Sequence, residues 1–169
     1  TYTKEYIKTT IYGKEKRRHN PRYYKKIESK GIYYDNNPDN RFKGIIHHLC
    51  NGEYSKIKRD RIIKVYCSSY YTSNLKAYDE YHAVNFESTD SYWSSNKADS
   101  CLTYDFKERK INPSSYSIRS NFYGDKGWNH LKNWQIEGSN DNSQWVVLDS
   151  RENEMSLDGR GFENTFDIH

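Results

Sequence analysis

Short segments of alternating apolar and polar residues, separated by polar turns, constrain the fold of this chain more than any other feature. The alternation begins with Ile63, Val65 and Cys67 and returns in residues 101–106 and 116–119. Successive side chains of a strand point to opposite faces, so the pattern predicts strands with one buried and one polar face. Many short strands with almost no helical periodicity predict an all-β fold, either a sandwich or a jelly roll.

Two neighbouring segments later in the chain predict a β-hairpin. Residues 134–137 and 145–148 have strand-like patterns, and residues 138–143 between them are rich in Gly, Ser, Asn and Asp. Those residue types favour turns because they tolerate unusual backbone conformations. A last strand is predicted over residues 165–168, after a turn at residues 158–161.

The basic charge of the chain is concentrated in its N-terminal part. Residues 1–30 hold 10 Lys and Arg against 3 acidic residues, whereas the remainder holds 17 against 20. No clean period runs through this stretch, and the step from Asn20 to Pro21 disfavours a helix there. We therefore predict a basic arm or linker with short helical pieces over residues 1–40, followed by a domain over residues 41–169.

Helical spacing occurs near the start of the predicted domain. Phe42, Ile45, Ile46 and Leu49 follow a cluster of turn-forming residues and are spaced as on one face of a helix. We expect a short helix or turn that packs on the edge of the domain.

Aromatic residues are expected to supply much of the core and of any binding surface. Only 34% of the residues are hydrophobic, yet 16% are aromatic, and 17 of these are Tyr. One large ring buries about 150–250 Å², so a few aromatic residues can replace many small aliphatic ones.

The three cysteines predict reduced thiols. Cys50, Cys67 and Cys101 are widely spaced, odd in number and without a C-x-x-C pair, so neither a disulfide framework nor a zinc ribbon is indicated. Reduced thiols are typical of the cytoplasm, which is the predicted localisation. No run of 12 apolar residues occurs, so the sequence predicts neither a signal-peptide core nor a membrane span.

Four short motifs occur in a characteristic order. Residues 83–86 form an Ala-x-Asn-Phe step, residues 92–95 a Tyr-Trp-x-Ser step, residues 102–106 a strand ending in Asp-Phe, and residues 131–145 a strand leading to Ser-x-Asp-Asn-x-x-Trp. In this order the chain resembles the discoidin, or coagulation factor V/VIII type C, family, a galactose-binding-like fold. The resemblance covers residues 62–168 and implies an eight-stranded β-sandwich of jelly-roll type.

The chain also departs from that family. Ser100 and Cys101 stand where an aromatic residue is common, and the cysteine pair that closes extracellular members is missing. In these two respects the chain resembles an intracellular branch of the family. The sequence stops before the family's last strands, so we expect either a sandwich that lacks them and belongs to a larger multidomain protein or a fold that closes in another way. The resemblance also implies that Trp93, Trp134 and Trp145 lie in the core.

The resemblance implies ligand binding by three loops at one end of the sandwich, residues 70–75, 87–91 and 121–129. The side chains expected to form the binding surface are Tyr70, Tyr71, Asn74 and Leu75, then Thr89 and Asp90, then Phe122, Tyr123 and Trp128. Aromatic rings beside amide and carboxylate groups suit a protein or carbohydrate ligand. The alternative for Tyr70 and Tyr71 is that both rings fold back onto the sandwich.

The sequence predicts a binding module without a catalytic function, metal or cofactor. It contains no G-x-S-x-G, H-E-x-x-H, G-x-x-x-x-G-K-[ST] or G-x-G-x-x-G motif, which leaves a hydrolase as a distant alternative. His47 and His48 are adjacent, so their side chains diverge, and no third metal ligand is suitably spaced. A different alternative is that the Lys, Arg and Tyr residues of the arm bind anionic lipid or, less favourably, nucleic acid.

Overall fold

A computed structural model of the chain describes residues 5–10, 39, 41–71, 78–123, 125–126 and 130–169, with the backbone alone for residues 5–10. The described residues form seven strands and three short helical segments. The strands are β1 (Glu5–Thr10), β2 (Lys64–Cys67), β3 (Ser100–Asp105), β4 (Ser115–Arg119), β5 (Trp134–Ser139), β6 (Val146–Arg151) and β7 (Glu163–Asp167). The helical segments are α1 (Ile45–Leu49), α2 (Ser55–Arg59) and a 3-10 helix (Glu80–Val84).

The strands form two sheets. Five strands lie in the order β2-β3-β1-β5-β6, and β4 pairs with β7 in a second sheet. The pairs β2–β3, β5–β6 and β4–β7 are antiparallel, whereas β1 is parallel to both β3 and β5. The protein is therefore mostly β, with six strands in antiparallel pairs and only short helices among the described residues. This confirms the predicted β-rich class; the finer prediction of a jelly-roll sandwich stays a prediction.

The sequence alternation produces the strands where it was expected to. In β2, Val65 is buried while Lys64 and Tyr66 are exposed, and in β3 Leu102 is buried between two partly exposed neighbours. The predicted hairpin is formed by β5 and β6. A bulge between Ile136 and Glu137 interrupts the β5–β6 register.

Two clusters of buried side chains make up the core. The first lies between the helical segments and the strands β2 and β3, and it consists of Cys50, Tyr54, Ile57, Ile63, Val65, Val84, Leu102 and Phe106. The second lies between the two sheets and consists of Trp134, Ile136, Leu157 and Phe166. The Trp134 ring meets the Phe166 ring edge-on at 5.0 Å, so one aromatic pair connects β5 to β7.

The structure differs from the sequence-based expectations in three places. Residues 5–10, predicted to belong to a basic arm, form a strand inside the larger sheet. Their Tyr, Ile and Thr content favours a strand, but the charge of the surrounding stretch obscured that preference. Helix α2 was not anticipated, because five residues are too few to display helical periodicity.

The third difference concerns the tryptophans expected in the core. Trp134 is buried as predicted, but Trp93 and Trp145 are only partly buried. Trp145 immediately precedes β6, outside the strand in which it was predicted. Within the part of the chain that is described, no helix combines the length and apolar character needed to cross a membrane.

Candidate ligand-binding loops

The first predicted loop begins where β2 ends, and it packs against the segment that follows the second loop. The Tyr71 amide donates to the Trp93 carbonyl at 2.9 Å, and the Tyr92 hydroxyl donates to the Ser69 carbonyl at 2.5 Å. Ser69 Oγ also accepts from the Ser95 amide at 3.2 Å. These bonds hold residues 69–71 beside residues 92–95.

Tyr70 and Tyr71 have different environments. The Tyr70 hydroxyl donates to Glu80 Oε2 at 2.6 Å, and its ring lies edge-on to Tyr92. Hydrogen bonding to the Cys67 thiol and to the Glu80 carboxylate, together with burial, raises the pKa of the Tyr70 phenol above its ordinary value. Tyr70 therefore folds back onto the protein as a neutral phenol.

Tyr71 is 58% exposed and contributes to an open aromatic group. Its ring lies 5.7 Å from that of Tyr78 and 6.2 Å from that of Trp93, measured between centroids. Asn74 and Leu75, the other residues predicted for this loop, lie outside the described residues.

The second loop presents polar groups and follows an aromatic anchor. Thr89 and Asp90 are exposed, and the Asp90 amide donates to Ser88 Oγ at 3.0 Å. Asp90 Oδ2 lies 4.0 Å from His82 Nε2. Just before the loop, the Phe86 ring stacks on Phe42 with centroids 4.3 Å apart.

Arg119, the last residue of β4, connects the second loop to the third. Its guanidinium lies 4.7 Å from the Phe86 ring centroid and 5.0 Å from that of Phe122, and it donates to the Ser88 carbonyl at 2.7 Å. Contacts between an arginine and aromatic rings contribute about 0.5–2 kcal/mol, more as they are desolvated. Burial lowers the pKa of Arg119, while Glu163 opposes that shift. Arginine remains charged in this setting.

The third loop rests on the turn before β7. The Gly161 amide donates to the Asn121 carbonyl at 2.9 Å, and the Phe122 ring lies directly over the Gly161 Cα. A Cβ atom at Gly161 would lie 2.5 Å from that ring, so glycine is required for this approach. Phe162 covers Gly159 in the same way.

Tyr123 is 60% exposed at the tip of the described part of the third loop. Its amide donates to Asn121 Oδ1 at 2.8 Å, a local turn that holds the backbone while the ring remains exposed. Trp128, also predicted for this loop, lies outside the described residues.

Residues 69–71 contact residues 92–95, and Arg119 contacts Ser88 and Phe122, so the segment of residues 88–95 links the first loop to the third. The exposed rings along this path form a surface that we call the aromatic loop surface, which consists of Tyr71, Phe86, Phe122, Tyr123 and Phe162. Sequence reasoning named Tyr71, Phe122 and Tyr123 but missed the other two rings and Arg119. Phe86 belongs to a motif assigned to the fold, and no local signal showed that the segment with Phe162 would pair with the segment that leads to Phe122.

Other parts of the described structure offer less to a ligand. An open depression of about 540 Å³ is lined by residues 60–62 and 107–109. Because Lys64 pairs with Asp105 and Cys67 with Leu102, this depression lies at the opposite end of β2 and β3 from the first loop. Arg109 closes part of it by donating to the Ile62 carbonyl at 3.2 Å.

The histidine pair has a structural environment. His47 Nδ1 is hydrogen-bonded to the Tyr54 hydroxyl at 3.1 Å, and the Tyr54 hydroxyl donates to the Phe42 carbonyl at 3.2 Å. Burial raises the pKa of Tyr54 to about 12. Among the residues that the structure describes, no three His, Cys, Asp or Glu side chains are grouped as metal ligands.

The fold and the loops together define a mostly β protein with exposed aromatic rings on several loops. Comparison with protein-family models finds no match, and comparison with curated proteins and with solved structures finds none either.

Proposed function

We propose that the protein is a non-catalytic interaction module, a discoidin-like β-sandwich that binds a protein or carbohydrate ligand through the aromatic loop surface. One observation carries the proposal: five exposed rings lie on segments that contact one another through Arg119, Trp93 and Gly161. Exposed aromatic residues held in fixed positions supply contact area at low entropic cost.

The hairpin between β5 and β6 supports the discoidin-like fold. Asp141 Oδ1 accepts from the Ser143 and Gln144 amides at 2.8 Å, and Ser139 Oγ accepts from the Asn142 amide at 2.9 Å. Asn142 has a φ of 59°, a conformation that Gly and Asn adopt most readily. The Ser-x-Asp-Gly/Asn pattern of the family matches what this turn requires.

Two further observations agree with the proposal. Trp134, Phe166 and their neighbours pack side chains from both sheets into one cluster, as the layers of a sandwich do. The three cysteines are free thiols, which fits the proposed cytoplasmic setting.

The test is a binding screen of the full chain against a glycan array, anionic liposomes, nucleic acid and immobilised cell-lysate proteins. Tyr71→Ala and Tyr123→Ala should each weaken binding to the protein or glycan ligand by about tenfold or more, as expected for exposed aromatic anchors. Tyr66→Ala is the matched control, because Tyr66 is 50% exposed on β2 and lies outside the aromatic loop surface.

The alternative role of the basic N-terminal segment is tested by substitution. Deleting the segment would also remove residues 5–10, which form a strand of the larger sheet. Changing Lys14, Lys16, Arg17 and Arg18 to Gln removes charge outside that strand. If this variant or high salt abolishes binding while the two tyrosine substitutions leave it unchanged, our proposal is wrong. The arm would then bind lipid or nucleic acid through its charge.

A further inference from the structure

The open depression lined by residues 60–62 and 107–109 does not enclose a small ligand, but it lies in a strongly basic part of the protein. Residues 56–64 and 107–110 hold eight of the 17 Lys and Arg residues of the range 41–169, against two of its 18 acidic residues. The range as a whole is therefore close to neutral, whereas these two segments together carry an excess of positive charge. Charge concentrated on one surface attracts a partner of the opposite sign.

The cations of these two segments divide into two groups. The three cations of α2 are each paired with a carboxylate, and the pairs are Lys56–Glu53, Lys58–Asp79 and Arg59–Asp60. The other five cations form no ion pair among the residues that the structure describes. We call these five residues the basic rim, which consists of Arg61, Lys64, Lys107, Arg109 and Lys110. Four of them are exposed and Lys107 is partly exposed, so their charge is available to a partner.

The pairing of β2 with β3 brings the basic rim together. Lys64 at the start of β2 pairs with Asp105 at the end of β3, so the residues before β2 lie beside those after β3. Arg109 Nη1 donates to the Ile62 carbonyl at 3.2 Å, which joins the two segments directly. The basic rim therefore lies around one depression and is not scattered over the surface.

Carboxylates near the depression offset only part of this charge. Asp60 is bound by Arg59, and Asp105 Oδ1 accepts from the Lys107 amide at 2.7 Å. Glu108 lines the depression and is exposed. The five cations of the basic rim therefore outnumber the carboxylates beside them.

Two members of the basic rim have a backbone conformation that does not favour a cation. Arg61 has a φ of 50° and Lys107 a φ of 60°, both in the left-handed region. Gly and Asn adopt this region most readily. The turns themselves thus do not call for Arg or Lys at either position, which points to a role for the side-chain charge.

An exposed aromatic ring adjoins the basic rim on the outer face of β2. Val65 is buried, so Lys64 and Tyr66 on either side of it point to the opposite face, about 7 Å apart along the strand. The Tyr66 side chain is 50% exposed. Cations beside an exposed ring are typical of surfaces that bind a single strand of nucleic acid, where cations meet phosphates and a base stacks on the ring.

A single-stranded nucleic acid fits this surface better than a membrane or an acidic polypeptide does. Binding to a membrane surface also requires apolar side chains that enter the lipid. The three Ile residues of the basic segments are buried or partly buried, so they do not meet this requirement. An acidic polypeptide accounts for the cations but not for the exposed ring.

We propose that the depression is a binding site for single-stranded nucleic acid, with phosphates on the basic rim and one base stacked on Tyr66. The first loop begins at the other end of β2, so this site is separate from the aromatic loop surface. The two proposals concern different ligands, and neither depends on the other.

The test measures the fluorescence anisotropy of a labelled oligothymidylate of about 12 nucleotides, added to the full chain at about 50 mM salt. Arg61→Asn combined with Lys107→Asn should weaken binding by about tenfold or more, because two phosphate contacts are lost. The same loss should reduce the steepness of log K against log salt concentration by about 1.4. Asn adopts the left-handed conformation readily, so this double variant should keep the melting temperature of the parent.

Lys43→Asn combined with Lys97→Asn is the matched control. It removes the same charge from two exposed residues outside the basic segments, and Lys97 lies before β3, away from the depression. Its affinity for the oligonucleotide should stay close to that of the parent, because salt screens exposed charges that are far from the ligand. If the two double variants lose affinity equally, or if the parent does not bind, the proposal is wrong.

Tyr66→Ala separates base stacking from attraction by charge alone. It should weaken binding of the single strand by about fivefold or more, the loss expected for one stacked base. The matching duplex, whose bases are paired with each other, should bind less tightly than the single strand. An unchanged affinity of Tyr66→Ala, or tighter binding of the duplex, would contradict base stacking and with it the proposal.

The same variants also test the other partners and the other basic segment. If vesicles containing phosphatidylserine, or polyglutamate, bind more tightly than the oligonucleotide and lose affinity in the Arg61 and Lys107 variant, the depression serves that partner instead. If the four substitutions in the arm abolish oligonucleotide binding while those at Arg61 and Lys107 leave it unchanged, the arm is the binding site and the depression is not.

Discussion

The indole Nε1 of Trp134 donates a hydrogen bond of 2.8 Å to the hydroxyl of Tyr116, which connects β5 of the larger sheet to β4 of the smaller one. The Tyr116 hydroxyl donates in turn to Asp149 on β6, and Asp149 also accepts from Arg151 Nε at 2.8 Å. Trp134 is only 2% exposed. A buried polar network of this kind stabilises a fold when every member has a partner.

Tyr116→Phe should destabilise the protein by about 1–3 kcal/mol, because it leaves the buried Trp134 Nε1 donor without its acceptor and removes one of the two donors to Asp149 Oδ2. Urea unfolding followed by tryptophan fluorescence measures the change. Tyr66→Phe is the control, since Tyr66 is exposed and loss of its hydroxyl should change little. Equal effects of the two substitutions would show that the network contributes nothing to stability.

The stability of the protein should decline in acid partly through Asp149. Burial acts to raise the pKa of Asp149, but hydrogen bonds from Arg151 and Tyr116 outweigh it and lower the pKa below the ordinary value. A carboxyl group with a lowered pKa in the folded state contributes stability above its unfolded pKa of about 3.9 and loses it as pH falls through the folded pKa.

Asp149→Asn removes this titration. We expect the variant to be less stable than the parent at neutral pH, with the difference shrinking as pH falls below about 4. Free energies of unfolding, obtained from urea titrations between about pH 2 and pH 7, measure this difference. If the difference in unfolding free energy between the parent and Asp149→Asn does not change with pH, the pKa of Asp149 is not lowered in the folded protein.

Gly161→Ala should destabilise the protein by more than about 1 kcal/mol. Gly161 has a φ of 65°, which is costly for a residue with a Cβ, and the new atom would meet the Phe122 ring at 2.5 Å. Gly44→Ala is the matched control, because nothing lies within 4 Å of a Cβ there. Thermal unfolding compares the two, and similar melting temperatures would argue against the close approach of Phe122 to Gly161.

The three thiols should react at different rates. Burial raises the pKa of Cys50 above its ordinary value, and Cys50 is only 1% exposed. Because the thiolate is the reactive form, an aromatic disulfide reagent should modify Cys67 and Cys101 before Cys50 at pH 8. Mass spectrometry of partly labelled protein identifies the order. Early labelling of Cys50 would show that the first core cluster opens readily.

Part of the candidate site could be predicted from sequence. The resemblance to the discoidin family places Tyr71 and Tyr123 on loops expected to bind a ligand, and both side chains are more than half exposed. Phe162 and Arg119 could not be named from local patterns, because Phe162 follows Gly161, which meets the Phe122 ring 39 residues away, and Arg119 contacts the Phe86 ring 33 residues away. Tyr70, named for the same loop, is instead held against the protein by its hydrogen bond to Glu80 and is only partly exposed.

The sequence by itself determined the β-rich class, the β5–β6 hairpin and the buried rows of β2 and β3, because a strand's alternation and a turn's residue preferences are local properties. Only the tertiary structure decided that β1 lies between β3 and β5, that the Arg119 guanidinium contacts both Phe86 and Phe122, and that Trp134 meets Tyr116. These relationships depend on pairing and packing between segments far apart in the chain, for which local residue patterns carry no signal.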